Sequence, residues 1–262
     1  MDYRIVIPSY QQPETCQSQS VATLLRLGAK PEHIDVWVAS ETQRDLYTAH
    51  LSKKINIEIA EKGLDNARRI YHQHYTQGTR LLNVDDDLLD LVEKSGDKCV
   101  PLSVTLSAVV EIGFSIADAV GARLWGVNAV NNGFFMGNTI SVGLRYICGN
   151  FFGSYAGDPV YTGDREVAGS SGEDFLNTLR SYTRYGKVVR LDYLATKTKF
   201  FASGGIDAEL KTEGIADRQD DHSVALEKIA LAYPDLAKSY TKAGGVTNLR
   251  LKTITEHKIG RP

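Results

Sequence analysis

Short apolar runs alternate with amphipathic stretches along most of the chain. The apolar runs predict buried strands and the amphipathic stretches predict helices, because the two structures space their buried positions differently. A repeated strand–helix order is typical of an α/β fold with a mainly parallel central sheet flanked by helices. The pattern predicts strands at residues 4–8, 33–40, 55–59, 80–85, 123–130 and 187–197, and helices at residues 15–27, 41–51, 65–75, 101–119, 172–185 and 218–237.

One segment breaks this alternation. Residues 131–171 are rich in Gly, Asn, Ser and Tyr, a composition that favours turns over long regular elements. Long segments of this kind inside a compact domain are usually functional. We therefore expect hairpins and mobile loops over a site here, and not a linker between domains.

The composition is that of an ordinary globular protein, with 42% hydrophobic and 24% charged residues among 262. The net charge of −2 gives no global basic field of the kind that advertises nucleic-acid binding. Three cysteines without paired spacing fit a reducing compartment better than a disulfide framework or a zinc site. Residues 1–5 read as a strand and not as a signal peptide, and residues 101–120 carry Glu111 and Asp118, which favour a packed helix over a membrane span. We expect a cytoplasmic protein.

Three consecutive carboxylates, Asp85, Asp86 and Asp87, follow the fourth apolar run. Adjacent anions repel one another, and burying one without a partner is costly. The carboxyl end of a strand is also where open α/β sheets bind ligands. Carboxylate oxygens suit Mg²⁺ or Mn²⁺, ions that take further oxygens from water and substrate phosphates. The motif predicts a metal-dependent enzyme acting on a nucleotide-linked substrate, and the alternative is a solvated acidic turn.

The turn after the first predicted strand contains Pro8, Ser9 and Tyr10. It lies between a strand and a helix, where a nucleotide base or ribose can rest against backbone and an aromatic ring. It lacks both the G-x-G-x-x-G pattern of dinucleotide-binding proteins and the P-loop pattern. The alternative is a plain turn stabilised by proline.

A second candidate for nucleotide binding follows the third predicted strand. Gly63 permits a tight turn, and Asp65 is predicted to cap the next helix. Arg68 and Arg69 are predicted in its first turn, where a cation opposes the helix dipole unless it faces an anion or a base. Two adjacent arginines cannot both face the site, and the alternative is a surface pair.

Glu173 and Asp174 open a predicted helix after a Gly/Ser run. A carboxylate held there could act as a general base that takes a proton from an acceptor hydroxyl. Carboxylates at a helix start are also favoured by capping and by the helix dipole, which is the alternative. Further downstream, His222 follows two acidic residues and is a candidate third metal ligand, the alternative being a structural histidine.

Taken in order, these motifs resemble the GT-A-fold nucleotide-sugar glycosyltransferases: P-S-Y after the first strand, G-L-D-N-A-R-R after the third, D-D-D after the fourth, and G-E-D-F downstream. The resemblance covers about residues 4–222, and the order of the motifs is more specific than any one of them. It implies a single domain over residues 1–262, with a nucleotide-binding half at about 1–90 and an acceptor-binding and catalytic half at about 91–262.

The resemblance also implies roles for individual residues. Asp85 would lie near the ribose or uracil of a UDP-sugar, Asp87 would bind Mn²⁺ or Mg²⁺ with Asp85, and Asp86 could assist. Asp174 would be the catalytic base, with Glu173 beside it. The nucleotide-sugar site would be lined by Pro8, Ser9, Tyr10, Gly63, Asp65, Arg68, Asp85 and Asp86.

Within that family, residues 40–43 and 204–206 resemble the TET-associated glycosyltransferases of bacteriophages, which are related to the base-J glucosyltransferase. This resemblance implies a hydroxymethylated pyrimidine in DNA as acceptor and the host-cell cytoplasm as location. Basic residues could then pair with DNA phosphates, although they could equally be ordinary solvated lysines. The predicted acceptor-binding residues are Lys197, Lys199, Gly204 and Gly205.

The prediction is thus a metal-dependent glycosyltransferase that moves a sugar from a UDP-sugar to a hydroxyl acceptor. One alternative is an enzyme of the same fold that acts on a glycan or a protein. Another is a non-catalytic module that binds nucleotide sugars. The presence of Asp85, Asp87, Glu173 and Asp174 counts against the module, because a binding protein has no need of all four.

Overall fold

A computed structural model describes residues 2–163, 172–198, 218–241 and 247–262. Within these ranges, eleven strands form one sheet and two more form a separate hairpin. The strands are β1 (Arg4–Pro8), β2 (Ile34–Val38), β3 (Asn56–Ile59), β4 (Arg80–Val84), β5 (Leu88–Ser95), β6 (Lys98–Pro101), β7 (Trp125–Asn128), β8 (Thr139–Leu144), β9 (Phe151–Tyr155), β10 (Val188–Thr198), β11 (Ala237–Thr241), β12 (Thr247–Leu251) and β13 (Ile254–Gly260).

The first helical region is continuous but irregular, because a π-helical turn at Cys16–Val21 separates two short α-helical pieces. The remaining helices lie between strands, as the alternating pattern predicts. The helices are α1 (Pro13–Thr15), α2 (Ala22–Arg26), α3 (Glu41–Thr48), α4 (Leu64–His74), α5 (Leu106–Val120), α6 (Pro159–Thr162), α7 (Glu173–Tyr185) and α8 (Arg218–Ala232), with a short 3₁₀ turn at Pro31–His33.

The sheet has two halves of different character. Strands β3, β2, β1 and β4 lie side by side and all run parallel, as predicted. Beyond β4 the order continues β9, β7, β10, β8, β13, and every neighbouring pair except β7–β10 is antiparallel. The α/β class with flanking helices is confirmed, but the parallel character is confined largely to the first half. The antiparallel neighbours β4–β9, β7–β9, β8–β10 and β8–β13 are not consecutive along the chain, so the second half is built from long-range strand pairing.

Three element boundaries differ from the predicted ones for identifiable reasons. Residues 88–101, which the pattern left unassigned, form the β5–β6 hairpin, and Gly96 turns it with a positive φ of 58°. Helix α5 starts later than predicted, where the Thr105 side chain accepts a hydrogen bond from the Ala108 N–H. Helix α8 stops at Ala232 and not at residue 237, because Pro234 disfavours helical backbone in the residue before it.

Apolar side chains cover both faces of the sheet. On one face, α5 packs Val110, Phe114 and Ala117 into the main core. On the other, Ala67 and Tyr71 of α4 pack against neighbouring strands. None of the helices in the described ranges is both long and apolar enough to cross a membrane.

The arrangement of strands creates one polar edge. Because β1 and β4 are parallel, Ser9 and Asp85, which follow them, emerge side by side. The antiparallel strand β9 starts at the same edge, since Phe151 pairs with Val84. This edge carries the candidate site, and we call it the crevice edge.

Candidate active site at the crevice edge

The acidic triplet forms the whole connection between β4 and β5, and its backbone is tightly held. The hydroxyl of Ser20, a fully buried residue in the π-helical turn, donates to the Asp85 carbonyl at 2.6 Å and accepts from the Leu88 N–H at 2.8 Å. The Asp85 N–H donates to the Asn150 carbonyl at 3.1 Å. The triplet is therefore a rigid turn and not a freely solvated acidic loop.

Asp86 points towards the turn after β1. It accepts a hydrogen bond from the Ser9 hydroxyl, which in turn lies 2.6 Å from the Tyr47 hydroxyl. Burial raises the pKa of Asp86 to about 7, with the Ser9 hydrogen bond acting in the opposite direction. Asp86 thus joins β1, α3 and β4.

Asp85 faces Arg68 of α4. The Arg68 Nη2 atom lies 3.3 Å from Asp85 Oδ1, and the Asp85 side chain keeps 34% of its surface exposed to the crevice. Burial raises the pKa of Asp85 well above its usual range, although Arg68 acts to lower it. Asp85 is therefore held by one cation yet remains accessible to a ligand.

Arg68 is buried at the centre of the site, with only 1% of its side chain exposed. Burial acts to lower its pKa, but Glu173 and the other nearby anions outweigh burial, so the pKa is raised and the guanidinium stays charged. The sequence predicted Arg68 in the first turn of α4, but the residue lies in the second turn. Arg69 pairs with Glu61 at 2.8 Å, so the two adjacent arginines have different carboxylate partners, as expected from their spacing.

Glu173 is the second carboxylate partner of Arg68. Its Oε1 atom lies 2.6 Å from Arg68 Nη1, and its Oε2 atom accepts from Asn177 Nδ2 at 2.7 Å. The residue is 5% exposed. Glu173 therefore does more than stabilise a helix start, because it ties α7 to α4 through a buried ion pair.

Gly149 closes the site from the loop between β8 and β9. Its carbonyl accepts from Arg68 Nη2 at 2.8 Å. A Cβ atom at this position would lie 3.0 Å from Glu173 Oε1 and 3.3 Å from both Arg68 Nη2 and Asp174 Cβ. The backbone can approach the ion pair this closely only because glycine has no side chain.

Asp174 is half-buried and less enclosed than Glu173. Its Oδ1 atom accepts from the Phe175 N–H at 2.8 Å, and its Oδ2 atom accepts from the Tyr146 hydroxyl. The two carboxylates thus differ, since protein groups enclose Glu173 whereas Asp174 reaches the surface of the site. The assignment of Asp174 as base, with Glu173 as its neighbour, stays a prediction.

The predicted nucleotide residues lie on the β1 side. Pro8 is the buried end of β1, and Tyr10 is partly exposed with the Lys62 Nζ atom 5.8 Å from its ring centroid. Gly63 has a φ of 105°, which permits the turn into α4. The sequence predicted Asp65 as the cap of that helix. Asp65 instead lies in the first turn, because the helix begins one residue earlier, at Leu64.

The described residues supply only part of a donor set for a cation. The described residues contain no group of three His, Cys, Asp or Glu side chains that could hold a metal ion. The structure therefore does not bring His222 together with Asp85 and Asp87 as a three-residue ligand set. The chemistry of the two carboxylates nevertheless fits Mg²⁺ or Mn²⁺, which commonly use one or two carboxylates together with substrate phosphates and water.

Of the four predicted acceptor residues, one lies within the described part of the chain. Lys197 is exposed near the end of β10, opposite Asp90 of β5. Lys199, Gly204 and Gly205 lie outside the described residues.

Sequence reasoning did not find several residues that shape the site. Ser20, Gly149 and Asn177 contact site residues that are distant along the chain or lie one turn further along a helix. The one available signal was the Gly/Asn-rich composition around residue 149, which predicted a loop over a site without indicating its contacts.

No protein-family model and no curated protein sequence matches this chain. Solved structures do resemble it. The mannosyltransferase PcManGT from Pyrobaculum calidifontis, in complex with GDP-Man and Mn²⁺, has a TM-score of 0.55 at 12% identity, over 89% of this chain and 65% of that one. S. aureus TarS 1-349 has a TM-score of 0.49 at 13% identity, over 90% of this chain and 72% of that one. A putative nucleotide-diphospho-sugar transferase from Desulfovibrio desulfuricans G20 has a TM-score of 0.43 at 11% identity, over 88% and 97%. The similarity to PcManGT confirms the predicted GT-A-like fold for this chain.

Proposed function

We propose that the protein is a glycosyltransferase that transfers the sugar of a UDP-sugar to a hydroxyl acceptor. The observation that carries this proposal is the excess of negative charge at the crevice edge. Among the described residues, Arg68 is the one guanidinium that pairs with carboxylates of these two motifs, contacting Asp85 and Glu173, and three further carboxylates, Asp86, Asp87 and Asp174, directly follow these two along the chain. Uncompensated carboxylates are costly to a fold. A bound cation and its ligand would offset that cost.

The fold supports a nucleotide sugar as that ligand. PcManGT, which shares the fold, is in complex with GDP-Man and Mn²⁺. Ligands of open α/β sheets also bind beyond the carboxyl ends of the strands, where this cluster lies. The choice of UDP as the nucleotide rests on the sequence resemblance alone.

Asp87 and Asp85 are the residues that would hold Mn²⁺ or Mg²⁺. The ion would neutralise charge on the diphosphate leaving group. Tyr10 and the turn at Gly63 flank the same edge and would receive the nucleoside. Arg68 would act indirectly, by holding Asp85 and Glu173 in place, because it is too buried to reach a ligand without rearrangement.

Asp174 would act as the general base. It would take the proton of the acceptor hydroxyl as that oxygen attacks the anomeric carbon. The bond from the anomeric carbon to the diphosphate oxygen would break, and UDP would leave with the electron pair. Attack from the face opposite the leaving group would invert the anomeric carbon.

For the acceptor, we propose a 5-hydroxymethylpyrimidine in phage DNA. The resemblance of residues 40–43 and 204–206 to TET-associated enzymes supports it, and exposed Lys197 would pair with a phosphate. The hydroxymethyl group would supply the attacking oxygen, so unmodified DNA would be inert. A glycan or protein acceptor is the competing outcome.

The test is a panel of UDP-sugars with Mn²⁺ or Mg²⁺, offered with hydroxymethylated DNA, plain DNA or no acceptor. Transfer is measured by the mass of the digested nucleosides, and hydrolysis by the release of UDP. We expect Asp174→Asn to lower kcat by roughly 10²–10⁴-fold, the range typical of a lost general base, with UDP affinity little changed. Asp118→Asn is the matched control, since Asp118 is a carboxylate at the other edge of the sheet.

Each outcome has a distinct meaning. Nucleotide-sugar binding without hydrolysis or transfer would identify a binding module and refute the enzyme. Transfer to a glycan or peptide but not to hydroxymethylated DNA would refute the acceptor and retain the enzyme. Full activity of Asp174→Asn would remove the proposed base.

A further inference from the structure

We infer that Tyr146 is a positioning residue that fixes the carboxylate of Asp174 for proton transfer. This inference rests on the proposed function, since it takes Asp174 as the base. Tyr146 donates its hydroxyl hydrogen bond to Asp174 Oδ2, while the Phe175 N–H occupies Oδ1 at 2.8 Å. Two donors from different directions leave the carboxylate little rotational freedom.

The Tyr146 ring is itself held on α7. It stacks on the Phe175 ring, with a centroid distance of 4.3 Å and an interplanar angle of 23°. The next residue, Ile147, donates its N–H to the Thr178 hydroxyl oxygen at 3.2 Å. The loop between β8 and β9 is therefore fastened to α7 by two further contacts next to the hydrogen bond to Asp174.

The chemistry of the contact suits a positioning role. Burial raises the pKa of the Tyr146 phenol well above its usual range, so the hydroxyl remains a donor at neutral pH. Each carboxylate oxygen of Asp174 has two lone pairs and uses one of them for these donors. The remaining lone pairs can accept the proton of an attacking hydroxyl from a fixed direction.

Other polar groups near Asp174 do not make this contact. Glu173 is committed to Arg68 and Asn177, and Cys148 has its pKa raised to about 12 by burial, with Asp174 adding to the effect. A thiol that stays protonated is a poor substitute for a phenol, because S–H is a weak donor. Tyr146 is thus the side chain through which the β8–β9 loop orients Asp174.

The test is Tyr146→Phe, which keeps the stacked ring and removes only the hydroxyl. UDP-sugar hydrolysis is the assay, because water as acceptor makes the result independent of the natural acceptor. We expect kcat to fall about 10–100-fold, as for other losses of alignment, with unchanged UDP affinity and only the drop of a few degrees in Tm that a lost hydrogen bond causes. Tyr185→Phe is the matched control, since Tyr185 lies on the same helix and donates to Asp158 at 2.9 Å, and it should leave kcat unchanged.

A double-mutant comparison separates this inference from the proposed function. In the Asp174→Asn background, Tyr146→Phe should cause no further loss, because the hydroxyl acts through that carboxylate. Normal kcat in Tyr146→Phe, with Asp174→Asn inactive, would overturn the inference alone. An equal further loss in the double variant would also overturn it. A wild type that hydrolyses and transfers no UDP-sugar would overturn the proposed function and this inference with it.

Discussion

The two edges of the same sheet both carry arginines and aspartates, but their charges are balanced differently. At the edge where β1 and β4 begin, Arg80 pairs with Asp118 at 2.6 Å, and Tyr155 donates to the same carboxylate at 2.5 Å. Arg4 binds Asp35 there in a similar way. Each carboxylate has its own cation, so this edge is electrically satisfied.

At the crevice edge, by contrast, the carboxylates do not each have a cation of their own. Arg68 is shared between Asp85 and Glu173, and the neighbouring carboxylates Asp86 and Asp87 have no guanidinium contact among the described residues. The balanced edge nevertheless carries a cavity of about 510 Å³, lined in part by Arg80 and Tyr155. Cavity size and uncompensated charge therefore point to different edges of the sheet, and the proposed function rests on the charge.

The strongest way to test this comparison is to remove one arginine from each edge. Arg68→Met should lower the free energy of unfolding by about 3–5 kcal/mol, because it leaves buried Glu173 without its cation. Arg80→Met should lower the same free energy by less than about 1 kcal/mol, since the side chains of Arg80 and Asp118 are 29% and 39% exposed. Denaturant unfolding measures both values. Similar losses for the two variants would show that the edges do not differ in this way.

Removing a carboxylate from each edge gives the next largest effect. Asp87→Asn should abolish most transfer and hydrolysis and should also abolish the increase in Tm that Mn²⁺ produces in the presence of UDP. Asp118→Asn should leave both activity and that increase intact. Thermal melts with UDP, with and without Mn²⁺, are the measurement. Full wild-type activity in excess EDTA would argue against the metal.

An effect that is small near neutral pH and grows in acid is expected from the histidine beneath the crevice. His72 Nδ1 donates to the Arg68 carbonyl at 2.7 Å, its Nε2 accepts from Ser154 at 2.9 Å, and its ring stacks on Tyr161 at 4.0 Å. Burial lowers its pKa from 6.5 to about 3. The unfolded chain therefore binds a proton that the folded protein rejects, so stability is complete above about pH 6.5 and falls as the pH drops towards 3.

Between about pH 6.5 and pH 3, His72 should make the free energy of unfolding fall by at most about 1.4 kcal/mol for each pH unit. Replacing His72 with Gln should flatten the dependence of unfolding free energy on pH. The same change at His257, which is exposed, should leave the slope as it was. Equal slopes in all three proteins would mean that His72 does not exclude the proton.

The sequence predicted the local elements of this protein better than the contacts between residues that are distant along the chain. Strands β1, β2 and β4 were predicted because each is a buried, mainly apolar run, and β3 because its apolar and polar residues alternate. The parallel order of β1 and β4 placed Ser9 and Asp85 at one edge. The β5–β6 hairpin was missed because its strands are half polar and only Gly96 marked the turn. The partners of Arg68 could not be predicted, because local pattern does not record which distant loop, such as that of Gly149, comes to rest on it.

The residues that contact Arg68 lie far apart along the chain, and this separation affects the order in which the structure forms. The guanidinium contacts Asp85, 17 residues away, and the Gly149 carbonyl, 81 residues away. It also pairs with Glu173 of α7, which lies further along the chain. Contacts of such long sequence separation incur a large loop-closure entropy before they return any stability. A nascent chain that has folded β1 to β4 would hold the acidic triplet without α7. The contacts around Arg68 would therefore be completed late, together with the last tertiary contacts.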